Sequence, residues 1–105
     1  MINPGDRPAD WIDPLIHTPA RFQIVTQLFV VEAADATFLL NRTGLTWGNL
    51  SSHLSKLEEA GYVAVKKTFR GKKPLTMVRL TEKGRAAFQS YRSGMQEALS
   101  GLPEG

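Results

Sequence analysis

The sequence predicts a single, mainly α-helical domain that also contains one β-hairpin, an α+β fold. Apolar residues recur at helical spacing along three long segments, and a shorter segment between the first two is bounded by helix start and stop residues. Residues 62 to 80 instead alternate and are rich in β-branched and aromatic side chains, which favours two strands. The 105 residues, of which 42% are hydrophobic and 22% charged, suffice for one folded core.

The first helix is predicted to begin at Thr18, which can cap it, with Pro19 in the first helical position. Its apolar residues form two stripes, one of which contains Phe22, Val25 and Phe29. Before it, residues 1–14 hold three of the six prolines. We therefore divide the chain into an irregular N-terminal arm (1–14), a folded domain (15–100) and a flexible tail (101–105).

Two short helices joined by a tight turn come next. Asp35 is the expected cap and Gly44 the expected stop of the first. Thr46 is the expected cap of the second, whose leucines recur at helical spacing and whose end is marked by Gly61. The pair indicates a helix-turn-helix.

The remaining segments predict a hairpin and a final helix. "YVAVKKTFR" and "LTMVRLT" alternate like strands, and "GKKP" between them has turn chemistry. Thr81 then caps a last helix with an apolar stripe. The residues of that stripe are Phe88, Tyr91, Met95, Leu99 and Leu102.

Positive charge is concentrated in one part of the chain. The net charge is +3, yet residues 66–85 alone carry +7, so the other 85 residues sum to −4. The cations are Lys66, Lys67, Arg70, Lys72, Lys73, Arg79, Lys83 and Arg85. A local basic block on a folded domain predicts a polyanionic partner, and nucleic acid is favoured over a membrane because no basic amphipathic helix accompanies the block.

Several classes of function are disfavoured by the composition. The absence of cysteine excludes disulfides, thiolate metal sites and thiol catalysis. No phosphate-binding loop is present, and a metal site formed by Asp10, Asp13 and His17 is disfavoured because Pro14 interrupts any helix that would align them. We therefore expect no enzyme activity, no cofactor and no metal. The start of the chain lacks a signal pattern, which predicts a cytoplasmic protein, and a nucleic-acid partner would associate it with the nucleoid.

The motifs "NLSSHLSKLEEAGYV", "FRGKKP" and "LTEKGR" occur in this order. Together they resemble the short winged helix-turn-helix transcriptional regulators related to the multiple-antibiotic-resistance and arsenical-resistance repressor families. The similarity runs from about Asp13 to Leu99. It implies a winged helix-turn-helix fold, a wing along the minor groove or backbone, and dimerisation through the terminal helices. The cysteine ligands of the metal-sensing relatives have no counterpart here.

The predicted helix after Thr46 has an unusual outer face. With its leucines inward, short side chains and one glycine point outward, where Glu, Lys, Gln or Ala would favour helix more. Short side chains suit a face that enters the major groove, although serines can also simply be tolerated. The candidate DNA-contacting residues are Thr46, Gly48, Asn49, Ser51, Ser52, Ser55 and Lys56. His53 is more consistent with a hydrogen bond inside the domain, and Trp47 with packing against the preceding helix.

In the wing, the candidate DNA contacts are Arg70, Lys72 and Lys73 at the hairpin tip. A solvated turn is the alternative. Lys66, Lys67 and Arg79 extend the basic patch only if the strand register allows it, and Lys83 and Arg85 are expected in solvent.

The apolar stripes of the first and last helices predict a homodimer, since duplex operators are usually read by two copies. The candidate interface residues are Phe22, Val25, Phe29, Phe88, Tyr91, Met95 and Leu99. Two hypotheses remain. The first is a sequence-specific regulator of double-stranded DNA, a dimeric repressor. The second is a winged-helix protein-interaction module whose basic wing is incidental. The sequence assigns no small-molecule effector.

Overall fold

A computed structural model describes residues 9–103 of the chain. Residues 1–8 of the predicted arm and 104–105 of the predicted tail lie outside the described residues. The described chain contains α1 (Pro19–Val31), β1 (Ala33–Asp35), α2 (Ala36–Thr43), α3 (Trp47–Glu59), β2 (Val63–Arg70), β3 (Lys73–Leu80) and α4 (Glu82–Ser100). This order confirms the predicted α+β fold with its helix-turn-helix and hairpin.

The helix boundaries follow from local capping chemistry. The side chains of Thr18, Asp35, Thr46 and Thr81 each accept a hydrogen bond from a backbone N–H in the first turn of the helix that follows, which satisfies one otherwise unpaired donor. Gly44 ends α2 in the left-handed conformation, with φ of 70°. The four caps identified in the sequence are therefore confirmed.

The sheet has one strand more than the sequence predicted. The strand order is β1-β3-β2, with both pairings antiparallel. β1 has only three residues and pairs Ala34 with Val78. A strand this short carries no readable alternation, and its partner lies far away in the sequence, so the hairpin alone was predicted.

One hydrophobic core joins all four helices to the inner end of the sheet. Its wholly buried members include Ile24, Leu28, Leu39, Leu50 and Val78. Val25, which the sequence placed on the dimer surface, is also wholly buried, because both apolar stripes of α1 contribute to the protomer core. Phe88 and Tyr91 are 6% and 3% exposed. These three candidate interface residues therefore lie in the protomer core, beneath the surface that α1 and α4 form.

The described end of the arm packs against the domain. The Trp11 ring lies 5.8 Å from that of Tyr91, and a Cβ placed on Gly94 would come within 2.3 Å of the Trp11 Cβ. The Tyr62 hydroxyl donates to the Asp13 carboxylate, and burial followed by this hydrogen bond raises the pKa of Tyr62 to about 12. Residues 9–103 contain no helix that is both long and apolar enough to span a membrane.

Candidate nucleic-acid interface

The outer face of α3 is wholly open to solvent. Leu50, Leu54 and Leu57 are buried at 4% exposure or less, so they fix the orientation of the helix on the core. All seven candidates of this segment are exposed: Thr46, Gly48, Asn49, Ser51, Ser52, Ser55 and Lys56. The structure therefore brings the predicted contact residues together on one free surface, which we call the recognition face.

No packing contact requires the glycine at the start of α3. A Cβ added to Gly48 would meet no heavy atom within 4 Å, and the residue has no positive φ. The glycines within α4 differ, since a Cβ on Gly84 would lie 2.1 Å from the Tyr62 carbonyl oxygen. Gly48 lowers helix propensity at an exposed position without any benefit to the isolated protomer.

A buried arginine attaches α3 to α1. Arg21 is 9% exposed, and its Nε donates to the Leu15 carbonyl oxygen. Its Nη1 donates to His53 Nδ1 over 3.1 Å, because a guanidinium has no acceptor. His53 thus hydrogen-bonds inside the domain, as the sequence suggested. Burial, the charge of Arg21 and that of Lys56 lower the pKa of His53, which favours the neutral ring needed for this bond.

Arg21 itself was missed by the sequence analysis. It lies between two apolar stripes of α1, where a cation is normally assigned to solvent. Only the approach of His53, which is 32 residues later, shows that the guanidinium has a partner in the interior.

A groove separates the recognition face from the hairpin. Its walls include Trp47, Ser51 and Ser55 from α3, and Lys67 and Thr76 from the strands. The Glu58 carboxylate accepts a hydrogen bond from the backbone N–H of Val65 across the groove, over 3.3 Å. Trp47 is 52% exposed and lines this groove instead of being buried against α2. The hydrogen bond between Glu58 and Val65 therefore links α3 to β2.

The tip of the hairpin is a two-residue turn. Arg70 pairs with Lys73, and Gly71 has φ of +63°, a conformation that L side chains rarely adopt. Arg70, Lys72 and Lys73 are all exposed, so three cations cluster at this tip. The Arg70 side chain is 75% exposed and lies 4.0 Å from the Asp35 carboxylate, a geometry that leaves it free to bind another anion.

The strand register settles which other cations extend this patch. Lys67 pairs with Thr76 on the face of the sheet that also carries Val65 and lines the groove beside α3. Lys66 is on the opposite face, where it pairs with Met77, because successive strand residues alternate. Lys67 is therefore the one of these two lysines that lies on the α3 side.

Two cations expected in solvent have partners. The Arg85 guanidinium lies 4.8 Å from the centre of the Phe29 ring and 3.8 Å from the Glu32 carboxylate. The Lys83 ammonium lies 5.9 Å from the centre of the Tyr62 ring. These contacts put both side chains at the base of α4, away from the hairpin tip.

The terminal helices form an apolar surface on another part of the molecule. The Phe29 and Phe88 rings are 4.9 Å apart, which ties α1 to α4. Around this contact two grooves are lined by Phe22, Met95 and Val30, among others. Phe22 is 37%, Val30 79% and Leu99 58% exposed. We call this surface the terminal-helix face.

Two of the three residues of the disfavoured metal site, Asp13 and His17, form hydrogen bonds within the domain. Asp13 accepts hydrogen bonds from Tyr62 and from the backbone N–H of Leu15, and His17 Nδ1 lies 2.7 Å from the Tyr91 hydroxyl oxygen. Within residues 9–103, no group of three or more histidine or carboxylate side chains is close enough to hold a metal ion.

Comparison with known proteins agrees with this geometry. A sequence model of the winged helix DNA-binding domain matches residues 20–99. An uncharacterised protein of Methanocaldococcus jannaschii is 36% identical over 77 residues, which cover 73% of this chain and 84% of that protein.

Solved structures show the same fold. The transcriptional regulator homologue from Pyrococcus horikoshii OT3 has a TM-score of 0.81 and 28% identity, covering 86% of this chain and 89% of its own. The protein AbfR, solved in its reduced form bound to DNA, has a TM-score of 0.63 and 19% identity, covering 79% of this chain and 55% of its own. At that identity the likeness concerns the fold alone.

The family match covers most of the chain and includes α3 and the hairpin, where the exposed polar face and the basic tip are found. The winged helix-turn-helix expected from the sequence is thereby confirmed, and the chain belongs to the winged helix DNA-binding domain family and is a DNA-binding transcriptional regulator.

Proposed function

We propose that two copies of this chain bind one double-stranded operator. The α3 helix of each copy enters the major groove, and the hairpin, or wing, follows the flanking backbone and minor groove. The observation that carries this proposal is the pairing of an exposed face of short polar side chains with a tip of three cations beside it. Short polar side chains suit the base edges of the major groove, and a cationic tip suits the negative potential of the minor groove.

The wing and the recognition face are proposed to make different contributions to binding. The cations of the wing neutralise phosphates, which supplies affinity without reading sequence. Asn49 and the serines of the recognition face offer donors and acceptors to base edges, and the N-terminal end of α3 adds a partial positive charge near the phosphates. Specificity is therefore expected to depend on α3 and affinity on the wing.

The terminal-helix face supports dimerisation. It exposes large apolar side chains, including Phe22, Val30 and Leu99, that a monomer would leave in water. Phe29 and Met95 are half-buried at its centre, and Phe88 and Tyr91 lie beneath them. A symmetric contact between two such faces would bury this surface and present two recognition helices to successive turns of the duplex.

The regulator is proposed to act as a repressor that occludes a promoter, without enzyme activity, cofactor or metal. The side chains of His17, His53 and Tyr62 make hydrogen bonds to other parts of the domain, namely to Tyr91, Arg21 and Asp13. A protein with this target acts in the cytoplasm, on the nucleoid.

Salt dependence of duplex binding tests the proposal. The affinity should fall steeply with salt, and Lys72→Ala or Lys73→Ala should each lower the slope of log K against log salt by about 1. Lys83→Ala is the matched control, because it removes the same charge from a side chain held at the base of α4. A dimeric protein that binds no duplex at about 50 mM salt would refute the proposal.

Comparing the affinity for the specific duplex with that for a random duplex distinguishes base contacts from phosphate contacts. If a base contact is lost, Asn49→Ala or Ser52→Ala should reduce the difference in binding free energy between the specific and a random duplex by about 1–3 kcal/mol. An equal loss of affinity for both duplexes would mean that the residue contacts the DNA backbone and not a base.

A protein-interaction module is the second candidate, and the exposed apolar terminal-helix face is the observation that favours it. In that case a partner chain would cover the face and the basic wing would be incidental. The salt experiment distinguishes the two, since only the regulator loses duplex affinity when wing cations are removed.

A further inference from the structure

The outer half of the wing is open to solvent, although Lys67 lines the groove beside α3 and the Arg70 guanidinium lies 4.0 Å from the Asp35 carboxylate. None of the residues from 66 to 75 is buried, whereas Val63, Val78 and Leu80 at the inner end are in the core. At about 3.3 Å per residue, the five residues 66–70 extend the hairpin by roughly 17 Å. This part of the wing is therefore free to reach a partner.

An apolar pair lies at this free tip. Phe69 is 68% exposed and pairs directly across the strands with Pro74, which is also exposed. Facing residues of an antiparallel pair project from the same side of the sheet, so the ring and the pyrrolidine form one apolar edge. An uncovered aromatic ring on a hairpin tip favours association with other molecules, which a solvated turn would avoid.

The apolar edge is on the α3 side of the wing. Phe69 is two residues beyond Lys67, so both project from the sheet face that lines the groove next to Ser51 and Ser55. The adjoining turn carries Arg70, Lys72 and Lys73, and because Arg70 and Lys73 pair with each other they project from the sheet face opposite Phe69. An apolar side chain next to a cationic turn complements the minor groove, where phosphates flank a narrow opening about 6 Å wide and 7.5 Å deep.

We propose that Phe69, supported by Pro74, is an apolar wedge that enters the minor groove and partly unstacks one base step. This inference rests on the proposed function, because it requires the wing to follow the minor groove. Phenylalanine and proline are among the side chains that minor-groove proteins use in this way, and the inserted ring bends the duplex toward the major groove.

The wedge gives the regulator a second source of specificity. Pyrimidine–purine steps unstack more easily than others, so the wedge selects for them without a hydrogen bond to a base. Replacing the step at the wedge position by a stiff one should weaken wild-type binding by about tenfold. The Phe69→Ala variant should lose that preference.

The test uses the full chain and duplexes carrying 2-aminopurine at successive positions flanking each half-site, since the fluorescence of this base rises when it unstacks. Wild-type protein should raise the fluorescence at one step and shorten the end-to-end distance measured by energy transfer. Phe69→Ala should abolish both signals. Phe69→Leu, which keeps an apolar wedge, should retain them, and Lys72→Ala should lower affinity with both signals unchanged at saturation.

Three results overturn the wedge. The first is that every labelled position stays stacked at saturating wild-type protein. The second is that Phe69→Ala gives the same fluorescence and bend as wild type. The third is that Phe69→Ala changes the sedimenting mass alone, which would mean that Phe69 contacts a second protein chain. The binding isotherm reports separately on the proposed function, since a wild-type protein that binds no duplex refutes both.

Discussion

Replacing Gly48 with alanine should make the protein more stable and weaken its binding to DNA. An added Cβ at this position meets no heavy atom within 4 Å, so the methyl group causes no clash in the free protomer. Alanine also loses less backbone entropy than glycine when α3 forms. On the DNA, the same methyl group would occupy space that the recognition face leaves for the duplex.

The magnitudes follow from the position of the residue. Gly48 is the second residue of α3, and Gly→Ala in a helix raises the free energy of unfolding by about 0.5–1 kcal/mol. For a domain of this size that corresponds to an increase in Tm of roughly 2–8 °C. A methyl group forced into a close contact costs about 1–2 kcal/mol, so the Kd for the specific duplex should rise roughly five- to thirtyfold.

Two measurements on the same preparation test this. Thermal unfolding at fixed protein concentration gives the stability, since the Tm of a dimer depends on concentration. Fluorescence anisotropy with a labelled duplex gives the Kd. Ser93→Ala is the control, because it improves helix propensity at an exposed position of α4, outside the recognition face. It should raise the Tm slightly and leave the Kd unchanged.

Either of two outcomes would refute the reasoning. If Gly48→Ala is more stable and binds the duplex as tightly as wild type, the glycine has no role in approach to DNA. If it is less stable, the added methyl group clashes with a neighbouring atom of the folded protomer, which contradicts the open space around Gly48.

Three further predictions concern the scaffold. Lowering the pH from 7.5 to 5.5 should destabilise the protein, because the pKa of His53 is lower in the folded than in the unfolded chain. The stabilisation linked to the neutral His53 ring is therefore present above pH 6.5 and is lost as the pH falls below that value. Denaturation curves of the His53→Gln variant should show less of this loss. In a urea titration, Gly84→Ala should lower the free energy of unfolding by roughly 3 kcal/mol or more, since the added Cβ would lie 2.1 Å from the Tyr62 carbonyl oxygen. Gly101→Ala is the control and should have little effect, because a Cβ there meets no heavy atom within 4 Å. Leu99→Lys on the terminal-helix face should shift the sedimenting species from dimer to monomer, and an unchanged mass would exclude this face as the dimer contact.

Features that depend on neighbouring residues were predictable from the sequence. A cap and the helix that it begins lie within four residues of each other, so Thr46 and Thr81 could be identified directly. The leucine repeat of α3 fixed which face is buried, and the exposed face followed from it. The winged fold and the set of recognition-face residues therefore did not require coordinates.

Features that depend on distant pairing were not predictable. β1 exists because Ala34 meets Val78, and Arg21 is buried because it meets His53. The burial of Val25 and the separation of Lys66 from Lys67 by the sheet likewise depend on how α1 packs and on the strand register. Periodicity shows that a helix has two apolar stripes, but not whether the second one faces the core or another chain.

Selection of bound duplexes from a random pool tests the central claim most directly. A dimeric regulator predicts enrichment of a two-fold symmetric sequence whose half-sites are about 10–10.5 base pairs apart or a multiple of that spacing, because two recognition helices must reach successive major grooves. Asn49→Ala should alter the enriched half-site. A pool that shows no enriched sequence, although the protein retains duplex and is dimeric, would contradict the claim.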